Sequence, residues 1–332
     1  MALLYVDDMI IAGNDDTEIT RLKEALSVCF DMKNLGEVNC FLGLEVTRSD
    51  AFFVSQQGYA SNLLDRFRMR DSKPMTTPME SYLKLAKDEG KFLEDATLFR
   101  QLVGSLFYLS ITRLDISFSV GVISQFMGEL REPHLIAAKR ILREIKNTLN
   151  FGLHYKQGTT FLLSGFVDAD WTGDINDSRS TTGYCFATGS TTISWCSKKQ
   201  NTVALSSCEA EYVAASMAVQ EYVWLKRLVQ EIFYDLKNPV LIRCDNESAI
   251  KLAKNPVFHA RTKHIEVHHH FVREKVLNQE IGLQKIRSED QVADIFTKAL
   301  GRAKLEEFRA ALDVVDSKFP LRGSIENSET YE

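Results

Sequence analysis

The order of strand and helix patterns in the second half of the chain most constrains its fold. Three strand patterns, at residues 161–167, 181–188 and 191–197, precede a long helix pattern at 208–233. A strand, two helices, another strand and a last helix beginning after Ser288 follow. This order predicts a mixed sheet with helices packed against it, which is the α/β class.

Four acidic residues lie at or near the ends of these predicted elements. Asp168 ends the first strand, Glu211 lies near the start of the long helix, Asp245 ends a later strand, and Asp294 lies in the last helix. Carboxyl ends of neighbouring parallel strands open into one crevice, so we expect these side chains to meet. Grouped carboxylates repel one another unless a cation separates them. Two Mg²⁺ or Mn²⁺ ions would suit both these oxygen ligands and in-line phosphodiester cleavage.

Structural roles provide an alternative explanation for some of the acidic residues. Asp245 stands where a helix N-cap is expected. Ser288 and Gln291 have capping-box spacing, which leaves Asp294 without a structural role, and Glu211 also lacks one. The spacing alone leaves the metal site and the structural interpretation open.

Histidines form a second pattern that could bind a metal. His264 and His268 are four residues apart on a predicted helix, and His269 and His270 follow. The order differs from His-Glu-x-x-His, and no cysteine or further histidine is placed to complete a tetrahedral site. The pattern therefore favours a solvated basic helix.

Composition limits the class of protein and its compartment. A chain of 332 residues is long enough for about two domains. Its six cysteines are scattered, which indicates free thiols, and neither a secretory signal nor an apolar run of membrane-spanning length is present. We expect an intracellular protein, cytoplasmic or nuclear, that is not secreted and has no membrane partner.

Charge alone does not decide whether the partner is a nucleic acid. The net charge is −5, but residues 1–50 hold 10 acidic and 4 basic side chains, so local basic faces remain available elsewhere. One predicted helix carries four basic residues, Lys139, Arg140, Arg143 and Lys146. They are consistent with either a solvated face or contacts to backbone phosphates.

Several motifs, in this order, resemble the carboxy-terminal part of the Pol polyprotein of copia-type LTR retrotransposons. Leu4-Tyr5-Val6-Asp7-Asp8 resembles the catalytic hairpin of reverse transcriptases. Four motifs resemble the ribonuclease H domain of this family, and three of them contain Asp168, Glu211 or Asp294: Asp168-Ala169-Asp170-Trp171, Ser206 to Tyr212, Arg261 to Ile265 and Ala293 to Lys298. The resemblance implies a truncated palm at 1–80, a helical thumb and connection at 81–157, a ribonuclease H-like domain at 158–304, and a helix and polar tail at 305–332.

The resemblance also implies a reaction and its participants. A palm remnant would precede a ribonuclease H-like five-stranded mixed sheet with flanking helices. Asp168, Glu211, Asp245 and Asp294 match four metal-binding catalytic carboxylates, which would hold two Mg²⁺ or Mn²⁺ ions and hydrolyse the RNA strand of an RNA–DNA hybrid. The expected partners are that hybrid and other products of the same polyprotein. We expect substrate contacts from six further residues, Lys198, Lys199, Asn246, Arg261, Lys263 and His264.

Polymerase activity is not expected from this chain alone. Tyr5, Val6, Asp7 and Asp8 form a remnant of the polymerase hairpin that begins four residues after the first residue. In the family, a third carboxylate and the fingers precede this hairpin. The alternative to a hybrid ribonuclease is a non-catalytic retroelement remnant that binds nucleic acid weakly.

Overall fold

A computed structural model describes residues 1–49, 51–156, 161–189, 191–232, 238–254 and 263–318, with the backbone alone for 263–269. The strands are β1 Ala2–Tyr5, β2 Asp8–Ile11, β3 Cys40–Phe41, β4 Leu44–Arg48, β5 Ala51–Ser55, β6 Phe151–Lys156, β7 Leu163–Asp170, β8 Thr181–Thr188, β9 Thr191–Lys199, β10 Val240–Cys244, β11 Ile281–Lys285 and β12 Val314–Asp316. The α-helices are α1 Asp16–Cys29, α2 Gln57–Arg66, α3 Thr97–Leu109, α4 Ser117–Ser124, α5 Glu132–Asn147, α6 Ser207–Ile232, α7 Glu247–Lys254, α8 Lys263–Leu277 and α9 Arg302–Ala311. None of the described helices is both long enough and apolar enough to cross a bilayer.

The second half of the chain forms the predicted mixed sheet. Its strand order is β11-β10-β7-β8-β9, with β7, β10 and β11 parallel and the β7-β8-β9 pairs antiparallel. Alternating side chains divide the core between two faces. Val167 and Phe186 pack with α6, whereas Phe166 and Cys185 pack with Phe296 and α9. The α/β fold class with a ribonuclease H-like five-stranded sheet is confirmed.

A second five-stranded sheet joins distant parts of the chain. Its strand order is β12-β6-β5-β4-β3, and every pair in it is antiparallel. These strands come from three of the four segments predicted above, so the sheet connects them. The division of the chain into domains at those boundaries stays a prediction.

The first residues form a separate hairpin. Among the residues that the structure describes, β1 and β2 pair only with each other, and Leu4 and Val6 are exposed. Asp15 caps the start of α1, because its side chain accepts hydrogen bonds from the Thr17 and Glu18 amides.

Two predicted elements are wrong. The apolar pattern of residues 41–46 predicts a single strand, but the segment is divided between two short strands, β3 and β4, because Leu42 and Gly43 both adopt positive φ and reverse the chain. The last core helix is two 3-10 helices, Ser288–Asp290 and Val292–Phe296. The two 3-10 helices are separated by Gln291, whose backbone is extended. The side-chain amide of Gln291 donates to the Val167 carbonyl oxygen of β7.

The second 3-10 helix lies unusually close to the sheet because β8 has a glycine beneath it. A Cβ at Gly183 would lie 2.6 Å from Thr297 Cγ2 and 2.9 Å from the Ala293 carbonyl oxygen. We expect Gly183→Ala to lower the free energy of unfolding by about 1–3 kcal/mol, because the added methyl group forces this helix off the sheet. Urea denaturation measures the change.

Gly104→Ala provides the matched control for Gly183→Ala. Gly104 lies within α3, and a Cβ there would meet no atom within 4 Å. This variant should be more stable than the natural chain by about 0.5–1 kcal/mol, because alanine restricts the unfolded chain more than glycine does. Equal stability of Gly183→Ala and the natural chain would contradict the close packing of the 3-10 helix on β8.

Candidate functional site

The structure brings the four predicted carboxylates together at one edge of the mixed sheet. Asp168 lies on β7 with 2% of its surface exposed, and Glu211 lies near the start of α6 with 5% exposed. Asp245 follows β10 directly, and Asp294 lies in the second 3-10 helix. β7 and β10 are parallel neighbours, so their carboxyl ends reach the same edge.

Asp168 and Asp294 share a lysine. The Lys298 ammonium group lies 2.8 Å from Asp294 Oδ1 and 3.3 Å from Asp168 Oδ2. The Thr297 hydroxyl group also donates to Asp168 Oδ2. These contacts fix the buried carboxylate of β7 against the 3-10 helix.

Glu211 and Asp245 form the other half of the site with a buried thiol. One ligand atom from each of Glu211, Cys244 and Asp245 lies within 4.8 Å of the others, so the three could hold a metal ion. The Cys244 thiol lies 3.8 Å from Glu211 Oε2. Ser288 Oγ donates to Asp245 Oδ2 over 2.7 Å, which orients that carboxylate.

Two carboxyl groups of the site, those of Glu211 and Asp294, have a raised pKa and so resist ionisation. Burial, together with the charges of Asp168 and Asp245, raises the pKa of Glu211 to about 9. Burial and the charge of Asp168 raise the pKa of Asp294 to about 7, even though Lys298 acts in the opposite direction. Negative charge is therefore concentrated beyond what one lysine neutralises, and a divalent cation would relieve it.

The helix cap predicted at Asp245 and the capping box predicted at Ser288 and Gln291 do not match the contacts. Asn246, not Asp245, caps α7, because its side-chain oxygen accepts from the Ala249 amide over 3.0 Å. Ser288 and Gln291 do not form a capping box: the hydroxyl group of Ser288 is directed to Asp245, and the amide group of Gln291 to β7. The carboxylates of Asp245 and Asp294 are thus left to the site.

The predicted substrate contacts have different surroundings. Lys198 is exposed, whereas Lys199 forms ion pairs with Asp174 and Asp177. The side-chain oxygen of Asn246 is used by the α7 cap. Arg261 lies outside the described residues, as do the side chains of Lys263 and His264 and those of His268 and His269.

Three basic side chains of α5 contact residues 72–80. Arg140 forms an ion pair with Glu80. Arg143 donates to the Lys73 carbonyl oxygen, and Lys146 donates to that of Ser72. These contacts favour a structural role for this helix face over binding of backbone phosphates.

The hairpin remnant is exposed to solvent. Tyr5, Val6, Asp7 and Asp8 are all exposed. Within the ranges that the structure describes, neither Asp7 nor Asp8 belongs to a group of three side chains that could hold a metal ion.

Sequence reasoning did not identify three residues of the site. Cys244 precedes Asp245 directly, and Thr297 and Lys298 follow Asp294 at three and four residues. Residues three and four apart lie on one face of a helix, so the sequence could have indicated that Thr297 and Lys298 lie beside Asp294. Nothing in the sequence indicated that the Cys244 thiol would lie against Glu211.

Comparisons with known proteins agree with this architecture. The family model for reverse transcriptase (RNA-dependent DNA polymerase) matches residues 1–81. The retrovirus-related Pol polyprotein from transposon RE1 of Arabidopsis thaliana is 42% identical over 313 residues, which cover 94% of this chain and 21% of the relative. A transposon Ty5-1 protein of Saccharomyces cerevisiae is 33% identical over 63% of this chain and 69% of the relative.

A solved structure has the same overall fold. The foamy viral protease-reverse transcriptase in complex with RNA/DNA hybrid matches 86% of this chain and 36% of its own chain, with 13% identity and a TM-score of 0.50. The chain spans about a fifth of the length of the RE1 polyprotein. Sequence and fold together show that the chain belongs to the family of retrovirus-related Pol polyproteins from copia-type transposons.

Proposed function

We propose that this chain hydrolyses the RNA strand of RNA–DNA hybrids with two Mg²⁺ or Mn²⁺ ions. The observation that carries the proposal is the convergence of Asp168, Glu211, Asp245 and Asp294 from four separate elements. A buried group of carboxylates has no stabilising value in itself, because their charges repel. Such a group is typical of a centre that binds cations and acts on phosphodiesters.

The donor atoms suit a divalent cation. Carboxylate oxygens are hard ligands of the kind that Mg²⁺ and Mn²⁺ prefer. Asp168, Glu211, Asp245 and Asp294 would hold the ions. When bound, the ions would activate a water molecule and stabilise the leaving oxygen.

Neighbouring hydroxyl groups orient two of the four carboxylates for metal binding. Thr297 donates to Asp168, and Ser288 donates to Asp245, so each carboxylate is held in one orientation. Supporting hydrogen bonds of this kind orient metal ligands and contribute to metal affinity. A hybrid would approach from the open edge of the sheet, where Lys198 is exposed.

Nucleic acid as the substrate is supported by the relatives. The foamy viral enzyme with the same fold was solved in complex with RNA/DNA hybrid. Relatives that cover most of this chain are Pol polyproteins, so we further propose that the chain acts together with other products of such a polyprotein.

The test is cleavage of an RNA–DNA hybrid labelled on either strand, with Mg²⁺ or with EDTA. We expect loss of the RNA strand only, and only with the metal. Asp245→Asn should slow cleavage by more than ~100-fold, because loss of a residue that merely supports a metal ligand already costs 10–100-fold. No cleavage by the folded natural chain would favour a non-catalytic remnant.

A further inference from the structure

A positively charged side chain lies among the oxygen atoms that would bind metal. Lys298 Nζ donates to Asp294 Oδ1 over 2.8 Å and lies 3.3 Å from Asp168 Oδ2. In the described parts of the chain, no other lysine or arginine forms an ion pair with Asp168 or Asp294. The proposed function leaves this contact unexplained, because a metal ion would need the same oxygen atoms.

We infer that Lys298 is an internal counter-ion that competes with divalent cations for the oxygen atoms of Asp168 and Asp294. The inference rests on the proposed function and adds control of metal affinity to the same site. The chain would bind the ions more weakly than its four carboxylates alone would allow, and Asp168 and Asp294 would stay paired with Lys298 until the metal concentration is high enough.

The ammonium group and the metal ion exclude each other. A divalent ion binds carboxylate oxygen at about 2.0–2.1 Å for Mg²⁺. With Lys298 Nζ 3.3 Å from Asp168 Oδ2, an ion bound to the same oxygen atom would lie no more than about 5.4 Å from the ammonium group, so the two positive charges would repel each other. Asp168 Oδ2 also accepts from Thr297, which reduces the room for a third partner. Binding of metal at these oxygens therefore requires Lys298 to move away.

The surroundings allow that movement. The Lys298 side chain is 39% exposed, whereas Asp168 is 2% exposed. A long lysine side chain can keep its stem in place and move its ammonium group into water. Asp168 is fixed in the centre of the sheet, so the lysine is the partner that moves.

The experiment is a titration with Mn²⁺ alone, without substrate, followed by the electron paramagnetic resonance signal of the free ion. We expect Lys298→Met to bind Mn²⁺ at least ~10-fold more tightly than the natural chain, because one adjacent charge shifts the proton affinity of a carboxylate by 1–3 pKa units. Lys285→Met is the matched control. Lys285 pairs with Glu247 at an exposed position, so its loss should change Mn²⁺ affinity less than twofold.

The outcomes separate this inference from the proposed function. Equal or weaker Mn²⁺ binding by Lys298→Met would overturn the inference and leave hybrid cleavage untouched. A natural chain that binds no more Mn²⁺ than Asp168→Asn would overturn both. If the methionine variant does not fold, Lys298→Gln provides the same comparison, because it also removes the charge but keeps a hydrogen-bond donor.

Discussion

Glu211→Gln is expected to abolish cleavage of the hybrid while stabilising the metal-free protein at alkaline pH. Glutamine has nearly the same shape as glutamate but carries no negative charge that could bind a cation. Removal of the most strongly perturbed carboxyl group also removes repulsion from Asp168 and Asp245. Activity and stability should therefore change in opposite directions at this residue.

The pH dependence follows from the raised pKa of Glu211. Its pKa is about 9 in the folded chain, against an ordinary value of 4.5. Between these two pH values the folded chain holds a proton that the unfolded chain releases, so the natural protein loses stability as pH rises. Glutamine does not titrate. At pH 8 the variant should be more stable by about 2–4 kcal/mol, after allowing for relaxation of the site.

Thermal unfolding in EDTA between pH 5 and pH 8.5 measures this difference. We expect the melting temperatures of the natural chain and Glu211→Gln to diverge as pH rises, and Mg²⁺ to narrow the gap. Glu231→Gln is the control, because Glu231 lies on the same helix but is exposed. Parallel curves for Glu211→Gln and the natural chain would contradict the repulsion described at the site.

Arg309→Met should destabilise the fold by about 3–5 kcal/mol, the cost of leaving a buried charge without its partner. Arg309 donates from Nε to Asp115 Oδ2 over 2.6 Å and also pairs with Glu144. Arg113 donates to the same aspartate through two nitrogen atoms, at 3.0 and 2.9 Å. All four side chains are at most 5% exposed. Loss of one guanidinium group leaves a net negative charge in this cluster.

Urea denaturation at pH 7 measures the effect, and Arg302→Met is the control on the same helix. Arg302 pairs with Glu306 at an exposed position, so its loss should cost less than about 1 kcal/mol. Similar losses in the two variants would contradict a buried network that connects α9 to α5. Although burial acts against ionisation, the two arginines hold the pKa of Asp115 well below its ordinary value, so the contribution of Asp115 to stability is lost only in strong acid.

The sequence predicted the mixed sheet well because each element there has a strong local signal. β8 and β9 are long and contain many β-branched and aromatic residues, and apolar residues recur along the whole of α6, so the positions of these elements could be predicted from the local sequence. The four acidic residues could be placed at one edge because they follow or adjoin these elements. Their convergence was expected because the carboxyl ends of neighbouring parallel strands open into one crevice.

Features that depend on distant contacts could not be predicted. The 3-10 conformation around Asp294 arises from a hydrogen bond between Gln291 and β7 and from the missing side chain at Gly183. β12 pairs with β6 although the two strands lie far apart in sequence. Neither effect leaves a periodic pattern, because the determining partner is remote along the chain.

The sheet that contains β12 has a consequence for synthesis of the protein. Leu153 of β6 is paired on one side by Val54 and on the other by Val314. During translation, Val54 leaves the ribosome long before Val314 does. Until then, β6 exposes an unpaired edge that can take up a foreign strand. This sheet is therefore complete only after residues 314–316 have been translated, and nascent chains are vulnerable to aggregation at that edge throughout the interval.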